Sequence, residues 1–176
     1  PSVLPTWVTL ENAEPKSLDG AAFKPLGDGS FLLTGANPRD DRWVVTAEVG
    51  LPKVTALRIE ALAHDSFKRR GPGRAGNGNF ALSDLRVFAK RPDEAGKGKP
   101  VKLVNPRADY QQNAGHLSVA SSIDGDKRKS GWAVDGQIGK DHFAVFEFAE
   151  PVNFSGGCVL TLELDYFANV SHVIGR

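Results

Sequence analysis

The sequence holds a single cysteine, Cys158, and this scarcity limits its chemistry. One thiol cannot form an internal disulfide, a cysteine-based zinc site or a Cys-x-x-Cys-His haem attachment, so we expect no haem in this chain. No apolar run approaches the roughly 18 residues that a membrane-spanning helix needs, so no membrane span is expected. The net charge of +1 is too small to indicate a nucleic-acid partner by itself.

Motifs of common hydrolases are also missing. Neither HExxH nor GxSxG occurs. Asp40 and Asp41 point to opposite sides if the chain is extended, which makes them a poor acid/base pair. Cys158 falls on the apolar face of a predicted strand, which is typical of an inert core thiol. The chain is therefore predicted not to be an enzyme, although carboxylates distant in sequence can still meet in the fold.

Alternation of apolar and polar residues dominates the rest of the chain and predicts strands. The clearest runs are Trp43–Val49, Val54–Ala63, Phe80–Ala89, His142–Phe148 and Cys158–Tyr166. A phase change at Ser83-Asp84 indicates a bulge. No window has sustained helical periodicity. These patterns predict one all-β domain over residues 1–176, an antiparallel jelly-roll β-sandwich.

Shorter segments complete this prediction. Apolar runs at Trp7–Leu10 and Ser30–Thr34 are interpreted as further strands. The turn residues of Gly50–Lys53 predict a hairpin-type connection between the strands on either side. The best helix candidate is a single turn around Leu117–Ile123.

The segment Ser121–Gly136 is the first candidate site. Asp124, Asp126 and Ser130 bring several oxygens into one short loop, and a hard cation such as Ca²⁺ prefers such oxygens. The competing interpretation is a solvated turn ahead of a core tryptophan, Trp132.

A second polar loop, Asp65–Asn79, is the candidate ligand site. Arg74, Asn77 and Asn79 would present guanidinium and amide groups to a polyol or an anionic sugar. Alternatively, Asn77-Gly78-Asn79 simply forms a left-handed turn. Phe67 in this loop, or Trp132, would supply a ring on which a sugar stacks.

Both loops contain a run of basic residues. His142 is a further candidate polar contact. Lys68-Arg69-Arg70 and Lys127-Arg128-Lys129 would attract a sulfated or uronate polysaccharide if the two loops share one end of the sandwich. The alternative is a pair of solvated charged faces. Nucleic acid is not expected, because no aromatic residues interleave with these cations.

Ser121–Gly136 followed by His142–Phe148 resembles the galactose-binding-like β-sandwich family. That family includes discoidin-type domains and many carbohydrate-binding modules. The resemblance implies that Asp124, Asp126 and Ser130 help to hold a structural calcium ion.

A longer set of ordered motifs resembles a module of large planctomycete proteins that also carry cytochrome-c-type domains. The motifs are Asp28-Gly29-Ser30, Gly35-Ala36-Asn37-Pro38, Thr55-Ala56-Leu57-Arg58-Ile59-Glu60, Gly71-Pro72-Gly73-Arg74, Asn77-Gly78-Asn79-Phe80 and Ile174-Gly175-Arg176. The resemblance implies a module excised from a large extracytoplasmic protein, periplasmic or at the cell surface, with the neighbouring domains as partners. Any targeting segment is expected to lie outside this piece.

These expectations describe a non-catalytic carbohydrate-binding module that contacts a polysaccharide through loops at one end. The predicted ligand contacts are Arg74, Asn77, Asn79, Trp132, Phe67 and His142. The first alternative is a structural docking domain with no small ligand. A glycan-active enzyme domain, which would need two carboxylates in a cleft, is the second alternative.

Overall fold

The computed structural model describes residues 6–10 and 12–176, and its regular elements are almost all β-strands. The strands are β1 (Glu14–Ser17), β2 (Ala21–Pro25), β3 (Phe31–Gly35), β4 (Asp41–Val49), β5 (Lys53–Ala61), β6 (Ala81–Leu82), β7 (Asp84–Lys90), β8 (Lys99–Val101), β9 (Leu103–Ala108), β10 (Trp132–Ala133), β11 (His142–Asn153) and β12 (Cys158–Tyr166). Every strand pair in the described residues is antiparallel. The all-β prediction is confirmed.

The largest sheet has five strands in the order β1-β4-β12-β7-β8. Its central strand, β12, alternates apolar and polar residues, so one face is apolar and the other carries charge, and both are largely buried. Trp43, Leu164 and Leu85 stand opposite one another on the inner face. Arg42, Asp165 and Asp84 form the equivalent row on the outer face. The alternation of β4, β7 and β12 thus fixes both the core and a charged surface.

A second sheet has three strands in the order β5-β11-β9. Its centre is β11, as the apolar run at His142–Phe148 predicts. Inward side chains such as Leu57 and Phe146 meet those of the larger sheet in one hydrophobic core. The two sheets therefore form a β-sandwich-like arrangement. Pro106 lies on β9, an edge strand, where the missing backbone donor is tolerated.

The phase change predicted at Ser83-Asp84 coincides with a break between β6 and β7. Before the break β6 pairs with β10, and after it β7 pairs with β12. Ser83 closes the gap, because its backbone N–H donates to the Asp165 carbonyl at 2.8 Å and its hydroxyl donates to the same oxygen at 2.7 Å. The bulge prediction therefore marked the point where the chain changes its strand partner.

Two local predictions were wrong. The Gly50–Lys53 connection is not a hairpin, because β4 belongs to the five-stranded sheet and β5 to the three-stranded one. Residues Trp7–Leu10 do not form a strand. A further strand pair that the sequence did not indicate, β2 with β3, forms a separate hairpin.

Helical structure in the described residues is limited to two 3₁₀ turns. One lies at Lys68–Arg70 and the other at Ala120–Ile123, inside the helical turn predicted at Leu117–Ile123. Within the described ranges, no helix has the length and the apolar character needed to cross a membrane.

Candidate functional site

The loop after β5 packs against two other segments of the chain. The loop after β5 bonds to the C-terminal segment, since Arg74 N donates to Val173 O at 2.9 Å. It also bonds to the loop before β11, where Gly139 N donates to Gly71 O at 2.5 Å. The loop at Asp124–Ser130 reaches the end of β12 through Lys127, whose Nζ lies 3.3 Å from Asp165 Oδ2. The loop after β5 thus contacts the C-terminal segment and the loop before β11, whereas the loop at Asp124–Ser130 contacts the end of β12.

Trp132 lies in the core and not on the surface. Its exposed fraction is 0%, its Nε1 donates to Tyr110 O at 2.9 Å, and its ring meets Phe80 edge-on at 4.9 Å between centroids. A sugar cannot stack on a ring with no exposed area. This placement corrects the prediction that Trp132 contacts a ligand, and it agrees with the alternative of a core tryptophan after the loop.

Asn79 and His142 are also buried, and their polar atoms have protein partners. Asn79 Oδ1 accepts from Val134 N at 3.0 Å, and its amide nitrogen donates to Gln112. The ring nitrogens of His142 face Asp109 Oδ2 at 2.8 Å and Gln137 O at 3.0 Å. Their polar groups join segments of the protein, so the predictions of Asn79 and His142 as ligand contacts are corrected as well.

Arg74 is partly exposed, but its guanidinium already joins two parts of the chain. Nη1 donates to Ala36 O at 2.7 Å and Nη2 donates to Gly35 O at 3.0 Å. Burial lowers the pKa of this guanidinium below its ordinary value. Asn37 joins the same two segments, because its Nδ2 donates to Arg74 O at 3.1 Å. Arg74 thus holds the loop after β5 against the end of β3 and keeps its charge there.

Phe67 is half-buried, and one side of its ring rests on the C-terminal segment. A methyl group added at Gly175 would lie 2.5 Å from Phe67 Cε2, so a side chain there would displace the ring. The ring centroid of His64 lies 5.9 Å from that of Phe67. The ring is therefore held in place while part of it stays accessible.

A cleft of about 360 Å³ brings Phe67 and Arg74 together. Its lining residues come from β3, the segment after it and the loop after β5: Leu32, Leu33, Thr34, Asn37, Ser66, Phe67, Lys68 and Arg74. The cleft combines one aromatic ring with hydroxyl, amide and cationic groups. Asn77 is exposed but is not among the lining residues; its Oδ1 accepts from Asn79 N at 3.0 Å.

The backbone beside the cleft adopts an unusual conformation. Arg69 and Arg70 have φ values of +53° and +68°, and Gly71 follows at +71°. Non-glycine residues occupy this left-handed region at a cost, and such residues cluster at functional sites. Hydrogen bonds from Arg70 N to Phe67 O at 3.0 Å and from Gly71 N to Lys68 O at 2.9 Å hold the turn. The strained turn follows directly from Lys68, which lines the cleft, and carries the cations Arg69 and Arg70.

Of the predicted calcium ligands, Asp124 and Ser130 bring side-chain oxygens together, whereas the Asp126 carboxylate accepts a hydrogen bond from Arg128 N at 3.1 Å. Ser130 Oγ lies 3.2 Å from Asp124 Oδ2 and 3.1 Å from the Asp126 carbonyl oxygen. Oxygen ligands suit Ca²⁺, which takes about six to eight of them, so this set supplies only part of a shell. In the described residues, no group of three or more His, Cys, Asp or Glu side chains gathers around one point. Calcium binding by these residues therefore stays a prediction.

Lys127, from the same loop, joins a charged cluster that sequence reasoning missed. Its ammonium contacts Asp84 and Asp165, while Arg86 bonds to both of these carboxylates and to Glu163. Burial raises the pKa of Asp84 above its ordinary 3.8, and Arg86 and Lys127 oppose that rise. The strand alternation placed these charges on one face, but no sequence signal connected Lys127 to them.

Other cleft residues were missed for a similar reason. Thr34, Asn37 and Ser66 are ordinary polar residues near turns, and the motif Gly35-Ala36-Asn37-Pro38 was the one signal that drew attention to this part of the chain. They become candidates because β3 and the loop after β5 meet in space.

Comparison of the chain with models of known protein families, with curated proteins and with solved structures finds no match in any of the three. The resemblance to galactose-binding-like domains remains an expectation drawn from sequence motifs. The function of the cleft is therefore inferred from its own residues, their contacts and their charges.

Proposed function

We propose that the protein is a non-catalytic carbohydrate-binding module and that the cleft beside Phe67 receives the sugar. The half-buried Phe67 ring, bordered by the polar side chains of Asn37 and Ser66, carries this proposal. Sugar rings have an apolar face that packs on an aromatic ring, and hydroxyls that bond to amide and hydroxyl groups at its edge. Arg74 acts here as a brace for the cleft and Lys68 as a direct contact.

The ligand class is an acidic or sulfated polysaccharide. The residues that line the cleft include two cations, Lys68 and Arg74, and no carboxylate. Arg69 and Arg70 follow Lys68 in the chain and add positive charge. Arg70 is ion-paired with Asp65, with 2.7 Å between Nε and Oδ1. Uronate or sulfate groups would gain charge-assisted hydrogen bonds from this set.

We propose that the two sheets have the jelly-roll topology of galactose-binding-like domains. We further propose that the chain works outside the cytoplasm as one module of a larger protein whose neighbouring domains are its partners. A structural calcium ion at Asp124, Asp126 and Ser130 would stiffen the loop that reaches β12 through Lys127.

A non-catalytic role is supported by the state of the clustered carboxylates. Asp84, Glu163 and Asp165 lie close together, but each is in contact with an arginine or a lysine on the outer face of the sheet. Hydrolysis of a glycoside needs one carboxyl group that donates a proton and a second that attacks or activates water. Asp84 and Asp165 are 4% and 0% exposed, so a polysaccharide cannot reach either carboxylate.

Affinity gel electrophoresis tests the proposal. Gels would contain a sulfated galactan, polygalacturonate or a neutral cellulose ether. We expect retardation by an acidic polymer, which added salt weakens by screening. Phe67→Ala and Lys68→Glu should each lose most of this retardation.

Two matched variants serve as controls. Phe143→Ala alters another half-buried phenylalanine, which lies under Arg58 on the three-stranded sheet. Lys102→Glu reverses an exposed charge between β8 and β9. Both should bind like the unaltered protein. Equal loss in test and control variants would exclude the cleft, and no retardation of folded protein on any polymer would favour the docking domain instead.

A further inference from the structure

A larger cavity, of about 650 Å³, lies between the two sheets on the side where β4 leads into β5. Volumes of this order are typical of pockets that bind small molecules. Its walls are inward side chains of β4, β5 and β12, together with the β2–β3 hairpin. Trp43, Leu57, Leu162 and Phe23 are representative of these walls. The cavity is separate from the cleft beside Phe67, from which it is divided by Leu33, the one residue that both share.

The cavity reaches into the centre of the sandwich. Leu160 and Leu162 belong to β12, the middle strand of the larger sheet, and both border the space. Protein interiors are packed densely and contain few voids larger than a water molecule. A void lined by leucine, isoleucine and aromatic groups stays dry and takes up apolar molecules. The chemistry of the walls therefore selects an apolar occupant.

All five residues of segment 6–10 line the cavity on its solvent-exposed side. Trp7, Val8 and Leu51 line the cavity and remain 42%, 56% and 39% exposed. In the described part of the chain, the one backbone hydrogen bond of segment 6–10 is from Ala13 N to Leu10 O. A segment that is not paired with a sheet can open at low cost. The apolar interior of the cavity thus lies beside a segment that few backbone hydrogen bonds hold in place.

The polar residues that line the cavity include Lys53, Thr55, Arg58 and Glu60 of β5 and Thr6 and Thr9 of segment 6–10, and a further polar margin is formed by Asp28, Ser30 and Arg176. Arg176 Nε donates to Ser30 Oγ at 2.9 Å, and its guanidinium lies 2.5 Å from Asp28 Oδ2. All three residues border the cavity. An occupant with an apolar body and a polar end would keep that end at this margin, in contact with water.

We propose that the cavity binds a single aliphatic chain, such as that of a fatty acid, beneath segment 6–10. The apolar walls favour a hydrocarbon, and the polar margin at Ser30 and Arg176 favours an occupant with one polar end. This site is independent of carbohydrate binding, because its walls share no polar group with the cleft beside Phe67.

Tryptophan fluorescence tests the proposal on the whole chain. Trp7 and Trp43 line the cavity, whereas Trp132 does not. Dibrominated stearic acid, which quenches tryptophan on contact, should quench the unaltered protein, while stearic acid itself should compete without quenching. A Trp7→Phe/Trp43→Phe double variant should keep the fatty acid, detected by native mass spectrometry, but lose the quenching.

A matched pair of substitutions locates the bound chain. Val45→Phe fills the cavity from β4 and should weaken stearate binding by about tenfold or more. Val101→Phe makes the same change on β8, where the side chain packs on the core outside the cavity, and should bind normally. Equal binding by both variants would assign the fatty acid to the surface and overturn the proposal. Failure of the folded, unaltered protein to bind or to be quenched would overturn it as well.

Discussion

Phe67 depends on Gly175 for its position: the ring rests where a side chain at residue 175 would stand, and a methyl group there would come within 2.5 Å of Cε2. The two residues are far apart in the sequence, but the backbone joins them closely, because Gly175 N donates to Pro72 O at 2.7 Å. The aromatic floor of the cleft is thus set by the C-terminal segment.

Gly175→Ala should therefore weaken polysaccharide binding without unfolding the protein. The added methyl group forces the Phe67 ring to rotate, and a displaced ring no longer packs on the sugar face. We expect several-fold weaker retardation in the acidic polymer gel. Gly76→Ala is the matched control, because a methyl group there meets nothing within 4 Å. Equal binding by Gly175→Ala and Gly76→Ala would contradict this role of Phe67.

Trp132→Ala should reduce stability rather than remove a ligand contact. Truncating a fully buried tryptophan leaves a cavity and the Tyr110 carbonyl without its donor, so the free energy of unfolding should fall by about 3–5 kcal/mol. Urea denaturation measures this loss. Trp7→Ala, at an exposed tryptophan, should change the free energy of unfolding by about 0.5 kcal/mol or less. A small loss for Trp132→Ala would conflict with its burial.

Asp84 should make stability depend on pH in an unusual direction. Burial raises the pKa of Asp84 above 3.8, so between that value and the raised pKa the folded protein binds more protons than the unfolded chain. This group's contribution to stability is therefore greatest below 3.8 and declines as the pH rises through the raised pKa.

Asp84→Asn isolates this effect, because asparagine does not titrate. The stability of Asp84→Asn relative to the unaltered protein should increase from about pH 3 to about pH 7. Urea unfolding at a series of pH values gives the comparison, with Asp93→Asn, at an exposed carboxylate, as the control. A relative stability that falls over this range would contradict the raised pKa of Asp84.

Calcium should stabilise the protein through Asp124. Binding to the folded state alone raises the free energy of unfolding by about 2.7 kcal/mol when the ion is at a hundred times its dissociation constant. We expect the melting temperature to rise with Ca²⁺ and return with a chelator. Asp124→Asn should remove this response and Asp93→Asn should keep it. A melting temperature that still rises with Ca²⁺ in Asp124→Asn would show that the ion binds at another site.

Strand positions were predictable where one face of a strand is buried. The alternation of Cys158–Tyr166 matches β12 in full, and Trp43–Val49 falls within β4. The sheet that each strand joins was not predictable, because turn residues at Gly50–Lys53 serve a crossing between sheets as well as a hairpin. Local pattern records burial, whereas the strand partner depends on distant residues.

The candidate site was predictable only in part, for a related reason. Asn79 looks like a ligand contact in the sequence, but its oxygen bonds to Val134, 55 residues away. Trp132 lies where a loop meets a strand. At such a boundary the local sequence does not distinguish a core position from a surface position. Phe67 and Arg74 do lie beside one cleft, because both belong to the loop that was singled out for its length and polarity.

The crossing from β4 to β5 also limits how the interior can open. Leu51 lies between the two strands and borders the large cavity, so the sheets are covalently tied along that side. This short covalent connection prevents the two sheets from moving apart along that side. Uptake of a guest would then proceed by threading under the N-terminal segment. A molecule's cross-section, more than its length, would decide whether it enters.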